Sequence, residues 1–272
     1  MIDDAELLRW WEEHARKNPV YAGVLPANGG GDLEIEYRRI AEEWLLPKLV
    51  RLHPEMRVLE VGCGAGRWIA FFAARVGQIK GIDYSSEMVR LARSRIAALR
   101  LTNACVEQQS AHAIEDSLPY ELLYFSGIGQ GLNDASLDQL IARAAGLLAP
   151  KGQLLDRVTC AWPSRFEDRN GGYQALYRTS NELTALYRKH GFELVSQHRS
   201  HVPFRWPVRA RGPLTERALL GLLRKAPRVG CAFIACMSRF WQFVRPLQKA
   251  RRVKLSHDFF VFKKFGAKTP QG

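Results

Sequence analysis

Two acids and three glycines mark where this chain could do chemistry. Glu60 stands near the end of the apolar run Arg57-Val58-Leu59-Glu60-Val61, and Gly62, Gly64 and Gly66 follow it at alternate positions. A buried strand that runs into a glycine-rich turn, and then into a helix from about Ala65, is how a parallel α/β sheet receives a nucleotide-like cofactor. Without a Cβ, Gly62 and Gly64 let the chain turn tightly and approach a ligand, while Gly66 is expected to let the helix pack against the strand. A second apolar run, Gln78 to Asp83, ends in another acid and continues into Tyr84-Ser85-Ser86-Glu87-Met88.

Particular elements must hold these groups in place. Asp3 to Lys17 has Leu7, Leu8, Trp11 and Ala15 at helical spacing with Trp10 and His14 beside them, which predicts an amphipathic helix stopped by Asn18-Pro19. Asn28 to Gly31 reads as a flexible loop, and a second helix is expected from about Leu33 to Arg51. Beyond the glycine turn the pattern predicts a helix to about Arg75, the strand ending at Asp83, a helix from Ser86 to Leu99 capped by Ser86, and a strand from Ala104 to Gln108. A fourth strand, Glu121 to Phe125, opens into Ser126-Gly-Ile-Gly-Gln-Gly-Leu-Asn-Asp134. There follow a helix from Ser136 to Leu148, a fifth strand from Gln153 to Thr159, and a loop carrying Trp162-Pro163, Tyr173 and Tyr177. A helix capped by Thr179 or Ser180, a sixth strand from Phe192 to Gln197 and a last strand from His257 to Lys264 complete the pattern.

Three stretches resemble motifs of the class I S-adenosylmethionine-dependent methyltransferases: Glu60 to Gly66, Gly81 to Met88, and Tyr120 to Gln130. The resemblance spans roughly residues 40 to 200. It implies S-adenosyl-L-methionine as cofactor, with Glu60 and the turn Gly62, Cys63, Gly64 and Gly66 near its methionine part. Asp83 would accept both ribose hydroxyls, a two-acceptor carboxylate meeting a two-donor diol. Tyr84 and Met88 would flank the adenine, Ser110 or Gln109 would replace the family's acid near its amino group with Ala111 beside them, and Ser126 and Gln130 would complete the cofactor contacts. N-terminal helices in the family often close over the cofactor, so Tyr37 and Arg38 become candidate lid contacts. The chain also departs from the family: Gln109-Ser110 stands where an acid is common, and Gln130-Gly131 stands where many small-molecule methyltransferases carry two histidines. Nicotinamide-binding domains share the glycine turn, but they space it G-x-G-x-x-G, and that last position here is Arg67.

Methyl transfer from a sulfonium is an in-line displacement, so a site of this kind must align the acceptor and exclude water. An acceptor hydroxyl also benefits from a base, for which Asp134, Asp156, His201 and His257 are the candidates. Arg157, Tyr173 and Tyr177 could orient the acceptor. No cysteine or histidine spacing suits a metal, and five cysteines, an odd number, fit a reducing cytoplasm. The acidic start is unlike a secretory leader, and no uncharged apolar run approaches the roughly 18 residues that span a bilayer.

The charge is unevenly placed. Between Pro203 and His257 there are 13 Lys or Arg and one acid, Glu216, so nearly all of the net charge of +13 belongs to this segment. Two helices are expected there, Leu214 to Lys225 and Val229 to Lys249 with Pro246 ending or kinking it. The second places Phe233, Met237, Phe240, Trp241 and Val244 on one face, a pattern suited to an anionic membrane surface or to packing on the sheet. Basic patches with interleaved aromatics also bind RNA, but no RNA-binding module is recognisable.

The expected architecture is an α/β, seven-stranded, doubly wound sheet, mostly parallel with its last strand antiparallel. Residues 1–51 form an N-terminal helical cap, 52–202 the Rossmann-like core, 203–256 a basic helical insertion between strands six and seven, and 257–272 the last strand and tail. The expected activity is O-methylation of a glycan or lipid-linked acceptor by a cytoplasmic enzyme peripheral to the membrane. A soluble small-molecule methyltransferase, an RNA methyltransferase and a non-catalytic membrane-binding module are the alternatives.

Overall fold

A computed structural model describes residues 2–22, 31–202, 204, 212–244 and 254–265. The chain divides into two compact units, one from residues 1–23, 51–198 and 253–272, the other from 24–50 and 199–252.

The first unit is built on a sheet of β1 (Arg57–Val61), β2 (Gln78–Asp83), β3 (Ala104–Gln108), β4 (Tyr120–Ser126), β5 (Leu148–Trp162), β8 (Phe192–Arg199) and β9 (Lys254–Lys264). Their order is β3-β2-β1-β4-β5-β9-β8, parallel from β3 to β5, with β9 antiparallel to β5. The seven-stranded α/β sheet is thus the expected one, and its last strand lies between β5 and β8. Strands buried on both faces read as continuous apolar runs, as in Val58, Leu59 and Val61, and Leu122 to Phe125, all at most 1% exposed. One large core cluster packs β1, β4, β5 and β9 against α5 (Asp134–Leu147) and α6 (Ser180–Lys189). On another part of the sheet, Trp68 of α3 (Arg67–Ala73) meets Tyr124 and Phe259 edge-on.

Several local expectations change. The stretch read as a loop after β5 is a hairpin of β6 (Phe166–Asn170) and β7 (Tyr173–Tyr177), turned by Gly171 and Gly172 at positive φ. Helix α4 (Ser86–Ala98) is capped by Ser85, whose hydroxyl accepts the Met88 N–H, and not by Ser86. Thr179 caps α6 in a full capping box with Glu182.

The two N-terminal helices, expected to form one cap, fall in different units. Helix α1 (Asp4–Lys17) belongs to the sheet unit, whereas α2 (Gly31–Leu49) packs with α7 (Pro213–Lys225) and α8 (Pro227–Val244) in the second. The core of that second unit is Leu33, Tyr37, Ile40, Phe204, Leu219, Leu223, Cys231 and Ile234. Helix α8 therefore packs through Cys231, Ile234 and Ser238, and its partners are helices. Phe233 and Phe240, expected on the packing or docking face, are 43% and 54% exposed. The expected continuation of α8 to Lys249, the break at Pro246 and the loop 28–30 lie outside the described residues, as do the side chains of Trp241 and Val244.

Candidate active site

The glycine turn takes its form from backbone geometry. Gly62, Gly64 and Gly66 all have positive φ, and the Gly62 and Cys63 amides both donate to the Ile82 carbonyl, tying the turn to the end of β2. A Cβ on Gly66 would lie 3.0 Å from the Ala92 Cβ, so this glycine lets α3 approach α4, not the strand. The expected helix-to-strand clearance falls to Gly81, whose Cβ would lie 2.6 Å from Ile69 Cδ1 of α3.

Asp83 is the junction of the site. Its Oδ2 accepts the Gly64 N–H at 2.9 Å and its Oδ1 accepts the Ser85 N–H at 3.0 Å, while its carbonyl receives the Gln109 N–H of the segment after β3. Each carboxylate oxygen still has a lone-pair direction to offer, which fits a vicinal diol. Burial pushes its pKa up to about 6, and the amides of Ser85, Gly64 and Tyr84 oppose that rise.

Glu60 is fully buried at the end of β1, and burial raises its pKa well above the carboxylate range. The Ser126 hydroxyl, Arg67 and Arg157 favour its charged form, yet neither carboxylate oxygen has a well-directed hydrogen bond. A ligand bearing an ammonium group would satisfy those oxygens. Arg157 lies across the turn after β4, its Nη1 being 3.2 Å from where a Gly127 Cβ would stand, and the buried Oε1 of Gln130 in the same turn has no partner. The carboxyl ends of β1, β4 and β5 thus gather Glu60, Ser126, Gln130 and Arg157.

Of the residues expected to flank the adenine, Met88 is buried with Ala65 and Ala15, and Tyr84 is half-buried. The Ser110 hydroxyl already accepts the His112 N–H at 3.3 Å, and Ala111 begins the short turn that Ser110 caps. Gln109 instead keeps a buried side-chain carbonyl oxygen without a partner, which makes it the better acceptor for an exocyclic amine.

Two sets of anchoring contacts were not legible beforehand, those of α1 and those of Arg178. Helix α1 lies across the carboxyl edge. The Asp3 N–H donates to Gln174 Oε1 of β7 at 2.8 Å, and Glu12 accepts from the Ser85 and Ser86 hydroxyls at 3.1 and 3.0 Å and from the Glu87 N–H at 3.3 Å. Its Trp10 and Trp11 meet Tyr173 at 5.0 and 6.1 Å between ring centroids, and the Tyr173 hydroxyl lies 3.4 Å from that of Tyr177. Arg178, 3% exposed, donates to the Gly129 and Leu132 carbonyls and to Asp134, pinning the loop after β4. Ser85-Ser86 before a helix signals surplus N-terminal donors, but nothing in the sequence names Glu12 as their acceptor.

The four candidate bases are held in different surroundings. Burial would raise the Asp134 pKa, but bonds from Arg165 and Arg178 at 2.9 and 2.8 Å outweigh it and hold the group ionised, which makes it a weak base. His201 is buried in the second unit, beside Ser200 and edge-on to Tyr37. Tyr37 itself donates to the Val202 carbonyl at 3.1 Å within that unit's core, and Arg38 is buried on the same helix. His257 stands opposite Thr159 near the carboxyl end of β5, with Nδ1 2.8 Å from the hydroxyl.

Asp156 is 1% exposed and is a core partner of Tyr187, whose hydroxyl donates to Oδ2 at 2.9 Å. Burial pushes its pKa up to about 7, against the Tyr187 bond and Arg178. The folded chain therefore holds a proton there that the unfolded chain has released, and stability falls as pH rises from the ordinary carboxylate range through about 7. Asp156→Asn should flatten this slope, so between about pH 5 and pH 8 the melting temperature of the variant should fall less than that of the wild type. Parallel falls would contradict the assignment.

Comparison with known proteins meets this geometry. Residues 58–152 match a family described as a methyltransferase domain. A protein-L-isoaspartate O-methyltransferase of Methylorubrum populi is 31% identical over 154 residues, which are 55% of this chain and 70% of the relative. The chain belongs to the class I S-adenosylmethionine-dependent methyltransferases. Among solved structures of the same fold, a phosphoethanolamine N-methyltransferase 1 of Haemonchus contortus with phosphoethanolamine and S-adenosylhomocysteine has a TM-score of 0.65 at 14% identity, covering 98% of this chain and 50% of that one. The 1,6-didemethyltoxoflavin-N1-methyltransferase of Burkholderia thailandensis, bound to its substrate and S-adenosylhomocysteine, has a TM-score of 0.60 at 15% identity, covering 96% and 88%. This methyltransferase uses S-adenosylmethionine as its methyl donor. Among its described residues no helix is long and apolar enough to cross a membrane.

Proposed function

We propose that this methyltransferase transfers its methyl group to an oxygen of a glycan or lipid-linked acceptor presented at an anionic membrane surface. The observation that carries the reading is α8, an amphipathic, acid-free helix in the most cationic part of the chain. Bound S-adenosylmethionine supplies an electrophilic methyl. Asp83 would hold the ribose, the buried Glu60 the amino group, and Gln109, Tyr84 and Met88 the adenine. The acceptor side is the aromatic wall of Trp10, Trp11, Tyr173 and Tyr177, with Arg157 as its cation. His257 is the candidate base: in the tautomer that donates Nδ1–H to Thr159 Oγ1, it carries its lone pair on Nε2. The donor and the chain's own groups leave little chemistry beyond alignment and removal of one proton.

The same aromatic wall also favours a second reading, a small planar acceptor free in solution. The test is transfer of a labelled methyl from S-adenosylmethionine to a fractionated cell extract. Label in extracted glycolipid or lipid-linked saccharide, lost in Asp83→Ala, supports the proposal. Label only in water-soluble metabolites supports the second reading, and label in RNA would remove both. Binding to anionic vesicles with no affinity for S-adenosylhomocysteine would mark the chain as a membrane-binding module.

A further inference from the structure

Three parts of the sheet unit converge on one serine. Ser85 is fully buried, its N–H donates to Asp83 Oδ1 at 3.0 Å, and its hydroxyl accepts the Met88 N–H at 3.2 Å while donating to Glu12 Oε1 at 3.1 Å. A hydroxyl has one proton, so with that proton given to Glu12 the Ser85 oxygen keeps its lone pairs for the start of α4. The same Glu12 oxygen accepts the Ser86 hydroxyl at 3.0 Å and the Glu87 N–H at 3.3 Å, and Oε2 is paired with Arg16 at 2.9 Å. Both carboxylate oxygens are thus committed, which fixes the Ser85 side chain from α1. Beside Glu12 on the same helix, Trp11 packs against the cluster of Ala15, Ala22, Ala65 and Met88. One acid of α1 therefore stands a single serine away from the group proposed to hold the ribose and from a residue proposed to flank the adenine.

Glu12 also brings a charge. Burial would raise its pKa, but the bonds from Ser86, the Glu87 amide and Ser85 outweigh that and hold it below its ordinary value, so it stays ionised wherever Asp83 titrates. After burial, the Glu12 charge is a further cause of the raised Asp83 pKa. The other titratable groups about Asp83 are Cys63 and Glu60 on the β1 side and Tyr84 next to it, with Asp4 of α1 acting on Tyr84. On α4, Glu87 is paired with Arg16 and Arg90, and the β3 residue opposite Asp83 is the neutral Gln108. The Cys63 thiol and the Tyr84 hydroxyl, both pushed up by burial, carry no charge at neutral pH. Substituting Glu12 leaves all of these groups in place, so a changed Asp83 titration belongs to Glu12.

We infer that Glu12 is a positioning residue for cofactor binding, acting through Ser85 on the Asp83 carboxylate and on the Met88 end of α4. It holds Ser85 in the orientation that aims one N–H at Asp83, and it sets, by its charge, the pH at which Asp83 becomes able to accept a diol. The inference rests on the assignment of Asp83 to the ribose and is independent of the acceptor.

The test is calorimetric titration of the full chain with S-adenosylhomocysteine between about pH 5 and pH 8. Glu12→Gln keeps an oxygen for the three donors and removes the charge. At about pH 8 it should bind within about threefold of wild type, which shows that it folds, and the pH below which its affinity falls should move down by roughly half a unit. The sign follows from the charge: without a neighbouring anion, Asp83 stays ionised to lower pH. Glu12→Ala leaves the Ser85 and Ser86 hydroxyls and the Glu87 N–H without this acceptor, so it should show the same displacement and bind roughly tenfold more weakly at about pH 8. Glu13→Ala, which breaks the exposed pair with Lys17 on the same helix, should change neither affinity nor profile. An unmoved profile in both Glu12 variants, or alanine affinity within about twofold of wild type at about pH 8, overturns the inference. Asp83→Ala, measured beside them, separates the two assignments. If it keeps its affinity, the ribose assignment fails and this inference with it; if it loses affinity while both Glu12 variants behave as wild type, this inference alone fails.

Discussion

Replacing Asp83 with alanine is expected to weaken S-adenosylhomocysteine binding by roughly a hundredfold or more, because two charge-assisted hydrogen bonds of about 1.5–3 kcal/mol each are lost. No other side chain in the site combines a carboxylate at the end of a strand with two main-chain donors already fixing both oxygens. The wild-type affinity should also depend on pH with a definite sign. Burial raises the Asp83 pKa to about 6 in the folded chain, whereas the diol requires the ionised form, so ligand binding must expel a proton at low pH. Affinity is therefore expected to be flat above about pH 6 and to fall by up to tenfold per pH unit below it. Asp83→Asn, which keeps one acceptor oxygen for a main-chain amide, should bind weakly at every pH and lose the slope. Titration calorimetry on the three proteins decides the matter. If alanine binds within about threefold of wild type, the ribose role is wrong.

Gly62→Ala is expected to cost about 2–4 kcal/mol of stability, the largest loss from any single added methyl group in the turn. Two effects combine there. The backbone sits at φ +76°, where a Cβ is strained, and that Cβ would lie 1.9 Å from Ile128 Cγ2, well inside van der Waals contact. Ile128 belongs to the turn after β4 and packs partly against the large core, so it cannot retreat freely. Combining the change with Ile128→Ala separates the two effects, because it removes the overlap and leaves the backbone strain. The double variant should be more stable than the sum of the two single losses predicts, by about 1 kcal/mol or more. Simple additivity in denaturant unfolding would show that the methyl group does not meet Ile128.

The clamp after β4 explains why the site residues include some that motif reasoning passes over. Arg178 follows β7, far along the chain from Gly129 and Leu132, and each of its three guanidinium nitrogens donates to that loop or to Asp134. Glu12 performs the equivalent service for α1, by occupying the donors at the start of α4. Asp134 looks like a possible base when seen as an acid in a glycine-rich loop. Two guanidiniums turn it into a structural anion.

Much of the sheet unit was legible in the chain. Continuous apolar runs buried on both faces, such as Leu122 to Phe125, announce central parallel strands, because their signal lies in adjacent residues. The turn Gly62 to Gly66 and Asp83 were equally plain, since positive φ admits little but glycine and the acid closes a strand of ordinary length. Short-range chemistry of this kind needs no knowledge of what lies across the molecule. The hairpin of β6 and β7 escaped because Phe166 to Asn170 is mostly polar and largely exposed, so it lacks an apolar period to betray it.

The tertiary structure alone decided the partners. Asp156 and Asp134 are both acids that the sequence offers as bases, yet one is sealed against Tyr187 and the other is held by two arginines. Periodicity placed Phe233 and Phe240 on one face of α8 but could not say which face would be buried, because Cys231, Ile234 and Ser238 form an equally regular row on the other side. A helix with two candidate stripes is settled by what packs against it, and here that is α2 and α7 through a core that includes Leu33, Tyr37 and Leu223. Burial, which sets both the cost of a charge and the choice of a packed face, is a property of the assembled chain and not of any segment within it.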